Sequence, residues 1–380
     1  MKILLFEDHE HSIAFYPLTL LRPIGMLRCG ILSLRDKWQY DLGHKVEFFS
    51  SGRLSKLYST TLTSDNLFIK SYYFSNKELA LQILDLEPNQ ALIINGEVIA
   101  FRGASLTQLP EAERVFADIR VKKIYRLWDL IKLNGEEILN DINRLKHTRE
   151  FIGVIDKHTI TYNEENIFIC EGATIKASIL NAEEGPIYIG KNAKISEGSI
   201  LRGPVAICEG ATTSMGATLR AGCTVGPYSV AGGELKNVII HGFSNKAHDG
   251  YLGDSYLGEW VNLGAGTTGS NLKNNYSGIS VFDSEAQKYI PSGEWKLGQL
   301  IGDFTHTGIN TTFNSGTTVG ICSNVMGGEF QEKHIPSFSW IDGKKYDFDK
   351  LLDFIKKVMR LKGKEIEPDL QECITLLYQK

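Results

Sequence analysis

The 380-residue sequence has no apolar run near the ~20 residues that a bilayer-spanning helix needs. Its first residues, Met1-Lys2-Ile3-Leu4-Leu5-Phe6, turn acidic at Glu7 and Asp8 with no small-residue cleavage site. A cytoplasmic protein without a membrane partner is therefore expected. Cysteine is sparse and dispersed (Cys29, Cys170, Cys208, Cys223, Cys322, Cys373), with no Cys-x-x-Cys pair. This argues against a disulfide framework and against a zinc knuckle, and for reduced thiols. A strong charge imbalance is also missing: 41 basic against 45 acidic residues leave a net charge of −4, which speaks against nucleic acid as a partner. At 42% hydrophobic and 23% charged, the chain has the composition of a folded globular protein.

Glycine is in excess at 37, and 26 of these lie between positions 185 and 328, so the excess belongs to one region. Residues 1–150 have a different texture, with apolar runs at Ile3–Phe6, Val46–Phe49 and Leu92–Asn95 alternating with helical spacing at Leu79–Leu86 and Leu127–Leu133. Such alternation predicts an α/β domain, Rossmann-like, with a mostly parallel sheet and ligands at the carboxyl ends of its strands. From about 167 an apolar or small residue recurs every sixth position. It is found at Ile169, Ile175, Ile189, Ile195, Leu201, Ile207, Thr213, Leu219 and Val225, then at Leu257 and Leu263, and again from Ile301 to Val325. Period six fits neither helix nor two-sided strand, but it fits a solenoid with three six-residue sides per coil. The hexapeptide pattern resembles a left-handed parallel β-helix, expected over 151–330. In 331–380, Leu351, Leu352, Ile355, Val358 and Met359 share a helical face, and the helical tail is expected to cap the open end of the solenoid.

The repeat breaks at Glu234-Leu235-Lys236, at His248 to Asp254, and at Asn262-Leu263-Gly264-Ala265-Gly266-Thr267 with Asn271. These residues resemble the acetyltransferase domain of the bifunctional N-acetylglucosamine-1-phosphate uridyltransferase/glucosamine-1-phosphate acetyltransferase family. That family has Glu-x-Lys, a catalytic histidine twelve residues on, a tyrosine three further, then Asn-x-Gly-Ala-Gly-Thr and another asparagine. The resemblance implies His248 as general base, helped by Tyr251, Asn262 and Asn271, with Lys236 and Arg220 on a sugar phosphate. Histidine suits the role, since its usual pKa near 6.5 lets it accept a proton from an attacking amine. The resemblance also implies acetyl-CoA as donor, contacted at Ala265, Ile309 and Gly327, and a homotrimer. The family returns quickly to its repeat after the last asparagine, whereas this chain runs from Leu272 to Leu300 first. Solenoid insertions tend to map to the binding face, so the acceptor could differ from glucosamine-1-phosphate.

The nucleotidyltransferase half of that family cradles a triphosphate in Gly-x-Gly-x-Arg after its first strand, whereas this chain has Glu7-Asp8-His9-Glu10-His11-Ser12. Two acids without glycine make a poor phosphate cradle. Arg22-Pro23, Arg28-Cys29-Gly30, Lys37-Trp38 and Trp128-Asp129-Leu130 are nonetheless similar to an alternative bacterial branch of the family. Arg22, Arg28 and Lys37 are candidate phosphate ligands for a nucleoside triphosphate or a sugar phosphate; equally, Arg22 and Arg28 could pair with Glu7, Asp8 or Glu10. Glu97 in Asn95-Gly96-Glu97 is the candidate Mg2+ ligand if this domain is active.

Three functions stay open on the sequence. The first is acetyl-CoA-dependent N-acetyl transfer to an amino-sugar 1-phosphate, with or without nucleotidyl transfer. The second is a sugar-1-phosphate nucleotidyltransferase whose β-helix only trimerises and regulates. The third is a non-catalytic sugar-nucleotide-binding solenoid.

Overall fold

The computed structural model describes residues 1–58, 60–327 and 330–380. Strands β1 (Lys2–Phe6), β2 (Val46–Phe48), β3 (Asn66–Lys70), β4 (Gln90–Ile94), β5 (Glu97–Gly103) and β6 (Glu113–Phe116) form one sheet in the order β2-β1-β3-β5-β4-β6. Strands β2, β1 and β3 are parallel, as are β4 and β6, but β5 is antiparallel to both its neighbours. The sheet is thus mostly parallel, as expected, with five strands running one way and β5 the exception. The reason is Asn95-Gly96, both at positive φ (51° and 78°), a dipeptide that turns a tight hairpin at little steric cost. Three helices accompany the sheet: α1 (Leu34–Leu42), capped by Ser33, α2 (Lys77–Leu84), capped by Asn76, and the 19-residue α3 (Leu127–Leu145).

Beyond Ile160 the chain winds into a parallel β-helix whose short strands stack in columns. Ile200 pairs with Thr218, Val205 with Cys223 and Thr212 with Val230, each 18 residues on, the three six-residue sides read from the sequence. Every residue assigned to the inward position from Ile169 to Val325 is at most 6% exposed. Each large aliphatic among them contributes about 1.5–3 kcal/mol by leaving water. Two longer strands, β7 (Glu234–Gly242) and β8 (Tyr251–Glu259), pair with each other in parallel across adjacent coils. One corner carries a stack of rings, Tyr228, Phe243, Trp260 and Phe304, with centroids 5.3, 4.5 and 6.1 Å apart.

The insertion after Asn271 contains a hairpin, β9 (Ser280–Asp283) and β10 (Lys288–Pro291). Its residues Ile279 and Val281 share one apolar core with Trp128 and Ile131 of α3, and Asp283 pairs with Arg126 at 3.0 Å. The insertion is therefore a strap between the two halves. The tail helices α4 (Phe348–Leu361) and α5 (Pro368–Tyr378) were expected to close the solenoid end. They run along its side instead: Phe354 meets His306 edge-on at 4.5 Å, and Lys362 Nζ donates to Tyr228 O at 2.9 Å. Their apolar faces cover the ring-bearing corner and also meet Leu21 and Leu54 of the N-terminal region, because a stack of rings along one edge leaves apolar surface beside the coils.

The same region carries the basic residues expected to bind phosphate. Arg22 is 4% exposed and bonds Asp303 at 2.9 Å and Glu259 at 3.0 Å. Its partners come from the solenoid, not from Glu7, Asp8 or Glu10. Arg28 donates to the carbonyls of His241 and Ile31, while its own backbone exchanges hydrogen bonds with Tyr256 Oη. Lys37 is wholly buried against Asp141 at 2.5 Å and Glu137 at 2.9 Å. Arg22 and Lys37 are thus removed from the phosphate-ligand set: each is enclosed and already neutralised by two carboxylates. Arg28 is spent on the join.

Burial raises the carboxyls of Glu259 and Asp303 above their ordinary range, and Arg22 is the main charge opposing that rise. Removing one member of a buried pair strands the other. Arg22→Met is therefore expected to lower stability by about 3–5 kcal/mol, read from urea unfolding at neutral pH.

Candidate active site

The corner that follows Asn245 on its coil is bridged coil by coil, Asn245 to Asn262, Asn262 to His306 and His306 to Asn324. Three residues after each of these stand His248, Ala265, Ile309 and Gly327, so register places the four at the same point on four successive coils. Asn310 N donates to Ala265 O at 2.7 Å, which locks two of these corners together. His248 is exposed, and among the described residues its imidazole has no hydrogen-bond partner. Ile309 is 71% exposed, leaving an apolar surface on the same column.

On the strands leaving that corner, Arg220, Lys236 and Gly253 are register partners on three coils, as are Glu234 and Tyr251. Gly253 is required here: a Cβ would lie 2.3 Å from Tyr251 Oη and 2.8 Å from Asn271 Nδ2. The missing side chain is the space in which the phenol and the amide meet. Asp254, bonded by Asn271 and by Asn237 at 2.8 Å, fixes that amide from below. Burial, with Asp254 and Glu234 adding to it, raises the Tyr251 phenol and keeps it a neutral donor. Arg220 is paired with Glu234 at 3.1 Å on the surface, whereas Lys236 has no ion pair or hydrogen bond among the described residues. Lys236, Tyr251 and Asn271 are therefore brought together beside the His248 corner.

Asn262 is not. It accepts from Asn245 at 3.4 Å on the strand that enters the corner, in a column with His306 and Asn324. In that column Asn245 Oδ1 and His306 Nε2 are buried without partners, and burial pushes the His306 imidazole down to about 4.

At the carboxyl edge of the sheet the structure gathers the candidate Glu97 with Asp8, His11, Lys70, Tyr72, Tyr73 and Lys123. Asp8 bonds Lys70 at 3.1 Å and Tyr72 Oη at 3.0 Å, Glu97 bonds Lys123 at 2.6 Å and Tyr73 Oη, and His11 stacks on Tyr72 at 4.0 Å. Lys70 ends β3 directly after Leu67–Ile69, so taking the polar residue that closes each strand would have found it; nothing local marks Lys123. Glu97 fits a Mg2+ ion poorly, since an ammonium and a phenol already hold its carboxylate, and among the described residues no three His, Cys, Asp or Glu side chains are placed to share an ion.

Residues 3–150 match a family model described as sugar nucleotidyl transferase. Over 95 residues the chain is 38% identical to the bifunctional sugar-1-phosphate nucleotidylyltransferase/acetyltransferase of Sulfurisphaera tokodaii, covering 25% of this chain and 23% of that protein. It is 29% identical over 171 residues to the bifunctional protein GlmU of Synechococcus elongatus (45% of this chain, 29% of that one). A GlmU of Baumannia cicadellinicola is 27% identical over 314 residues, covering 78% and 60%. The chain thus spans less than two thirds of each relative's length. The resemblance read from the motifs is shown, at modest identity. Among the described residues no helix is long and apolar enough to cross a membrane.

Glu7, beside this edge, accepts from Ile24 N at 2.7 Å and Ser71 Oγ at 3.0 Å, and burial holds its carboxyl up at about 7 against an ordinary 4.5. Between those values the folded chain keeps a proton that the unfolded chain releases, so this residue's contribution to stability falls as pH rises from 4.5 to 7. Glu7→Gln keeps an acceptor for both donors and removes the titration. The variant is expected to gain ~2–3 kcal/mol over the parent at pH ~8 and to match it near pH ~4.5, measured as the difference in urea midpoints.

Proposed function

We propose that the protein is a sugar-phosphate-modifying transferase that moves an acetyl group from acetyl-CoA to the amine of an amino-sugar 1-phosphate at the His248 corner. The observation that carries this is the common register of His248, Ala265, Ile309 and Gly327, beside the Tyr251–Asn271 pair that meets over Gly253. An exposed imidazole without a partner is free to take the amine's proton while the carbon–nitrogen bond forms and the thiolate leaves. Lys236, uncommitted, supplies a point charge for the sugar phosphate, and Tyr251 and Asn271 hydrogen-bond sugar hydroxyls across Gly253. The small residues Ala265 and Gly327, with Ile309, offer the pantetheine arm a shallow apolar track along the column. Arg220, paired with Glu234 and in register with Lys236, adds a second cation beside that lysine. Asn262, held in the entering-strand column with Asn245 and His306, is left out of this set. The reading carries with it a cytoplasmic homotrimer, by resemblance to the family.

Purified protein given acetyl-CoA and glucosamine-1-phosphate is expected to release free CoA, and His248→Ala is expected to lower kcat by about 10²–10⁴-fold. Full activity in the variant would refute the assignment.

A second activity is favoured by the match of residues 3–150 to the sugar nucleotidyl transferase family. Nucleotidyl transfer to a sugar-1-phosphate would use the carboxyl edge, with Lys70 and Lys123 meeting phosphate oxygens in place of Asp8 and Glu97. Pyrophosphate release in the presence of each common nucleoside triphosphate and a sugar-1-phosphate tests it. Lys123→Ala is expected to reduce that release by at least ~100-fold while leaving CoA release intact.

A further inference from the structure

One inward position of the solenoid is held by a lysine. The column Ile175, Ile195, Thr213, Ala231 continues at Lys246, whose side chain is fully buried. Among the described residues no carboxylate lies within ion-pair distance of it, the charge of Asp249 acting from farther away. Its Nζ donates instead to three backbone carbonyls: His248 O at 2.5 Å, Asp249 O at 3.0 Å and Gly232 O at 3.4 Å. An ammonium has three donors and no acceptor, so its capacity is used completely by these three groups. Burial pushes the amine down to about 8.

The coil is short at this point, with Val230 pairing with Asn245 only 15 residues on, where the coil before takes 18. The shortened turn directs two successive carbonyls, those of His248 and Asp249, toward the interior, where an unpaired acceptor costs about 1–3 kcal/mol. Glycine is enforced on both sides of it: a Cβ at Gly233 would lie 2.9 Å from His248 O, and Gly250 sits at φ 114°. With its carbonyl anchored inward, His248 turns its side chain to solvent.

We infer that Lys246 is a positioning residue that holds the His248 turn from inside the solenoid and so fixes where the imidazole is presented. The inference rests on the acetyl-transfer reading for its consequence in catalysis, but not for the clamp itself.

The test compares the full-length parent with Lys246→Met, an unbranched apolar replacement, and Lys246→Gln, which restores two donors. Hydrogen exchange of the amides in 247–250 is expected to accelerate at least tenfold in Lys246→Met and by less in Lys246→Gln. In the CoA-release assay kcat is expected to fall in the same order, by ten- to a hundredfold in Lys246→Met, with KM for acetyl-CoA within threefold of the parent. Should Lys246→Met not fold, Lys246→Gln alone must show both changes. Exchange rates unchanged in the folded variants would overturn the clamp. A loosened turn with unchanged kcat, or a loss confined to KM, would overturn the positioning role. If the parent itself releases no CoA, the acetyl-transfer reading fails, while the exchange measurement still decides the clamp.

Discussion

A guanidinium enclosed between two carboxylates holds this molecule in one piece. Arg22 is almost wholly withdrawn from water between the buried Asp303 and the partly exposed Glu259, and a guanidinium so enclosed is tolerable only when its carboxylates are present and well placed. An apolar joint could slide by a residue or two at little cost; a charged one has a single arrangement that neutralises it. The Arg28–Tyr256 exchange and the β9–β10 strap secure the same join. The orientation of the sheet relative to the solenoid is thus set by matched polar groups, with apolar contact filling the space between them.

Within the solenoid, regularity and chemistry are opposed. Where the six-residue rhythm is perfect, every coil repeats the last and each ladder satisfies itself, leaving nothing free to react. The candidate site lies where coils shorten and lengthen, from 15 residues at Asn245 to the 44 that separate Asn262 from His306. There a carbonyl pair faces inward, a glycine vacates room for a phenol and an amide, and an imidazole has no hydrogen-bond partner among the described residues. The fold bears such a defect because the coils on either side, packed around aliphatic columns, are rigid enough to hold it.

The two edges that carry reactive groups differ in their electrostatic condition. At the carboxyl edge each cation already faces an anion, so a phosphate must displace a carboxylate to bind. At the solenoid corner Lys236 is uncommitted, and a phosphate meets it without competition. This difference in what must be broken first is why the acetyl-transfer reading stands ahead of nucleotidyl transfer.

Period six read directly from the residues gave the solenoid and its inward positions, because burial on a three-sided coil demands an apolar or small residue at each repeat whatever the rest of the chain does. The break at 234–271 was legible for the same reason, as a departure from a rule. Local chemistry also foretold the helices and the dispersed free thiols, all of which are buried. What the chain could not announce was the fate of its charges. Arg22 before Pro23 and Lys37 before Trp38 look like any basic residues, and their partners lie 281 and 104 positions away. Lys246 reads as a surface residue until register turns it inward, and Lys123 acquires meaning only when the hairpin brings Glu97 to it. Periodicity is a property of neighbours along the chain, but the pairing of a charge depends on which distant group folding brings within reach, and that only the tertiary structure decides.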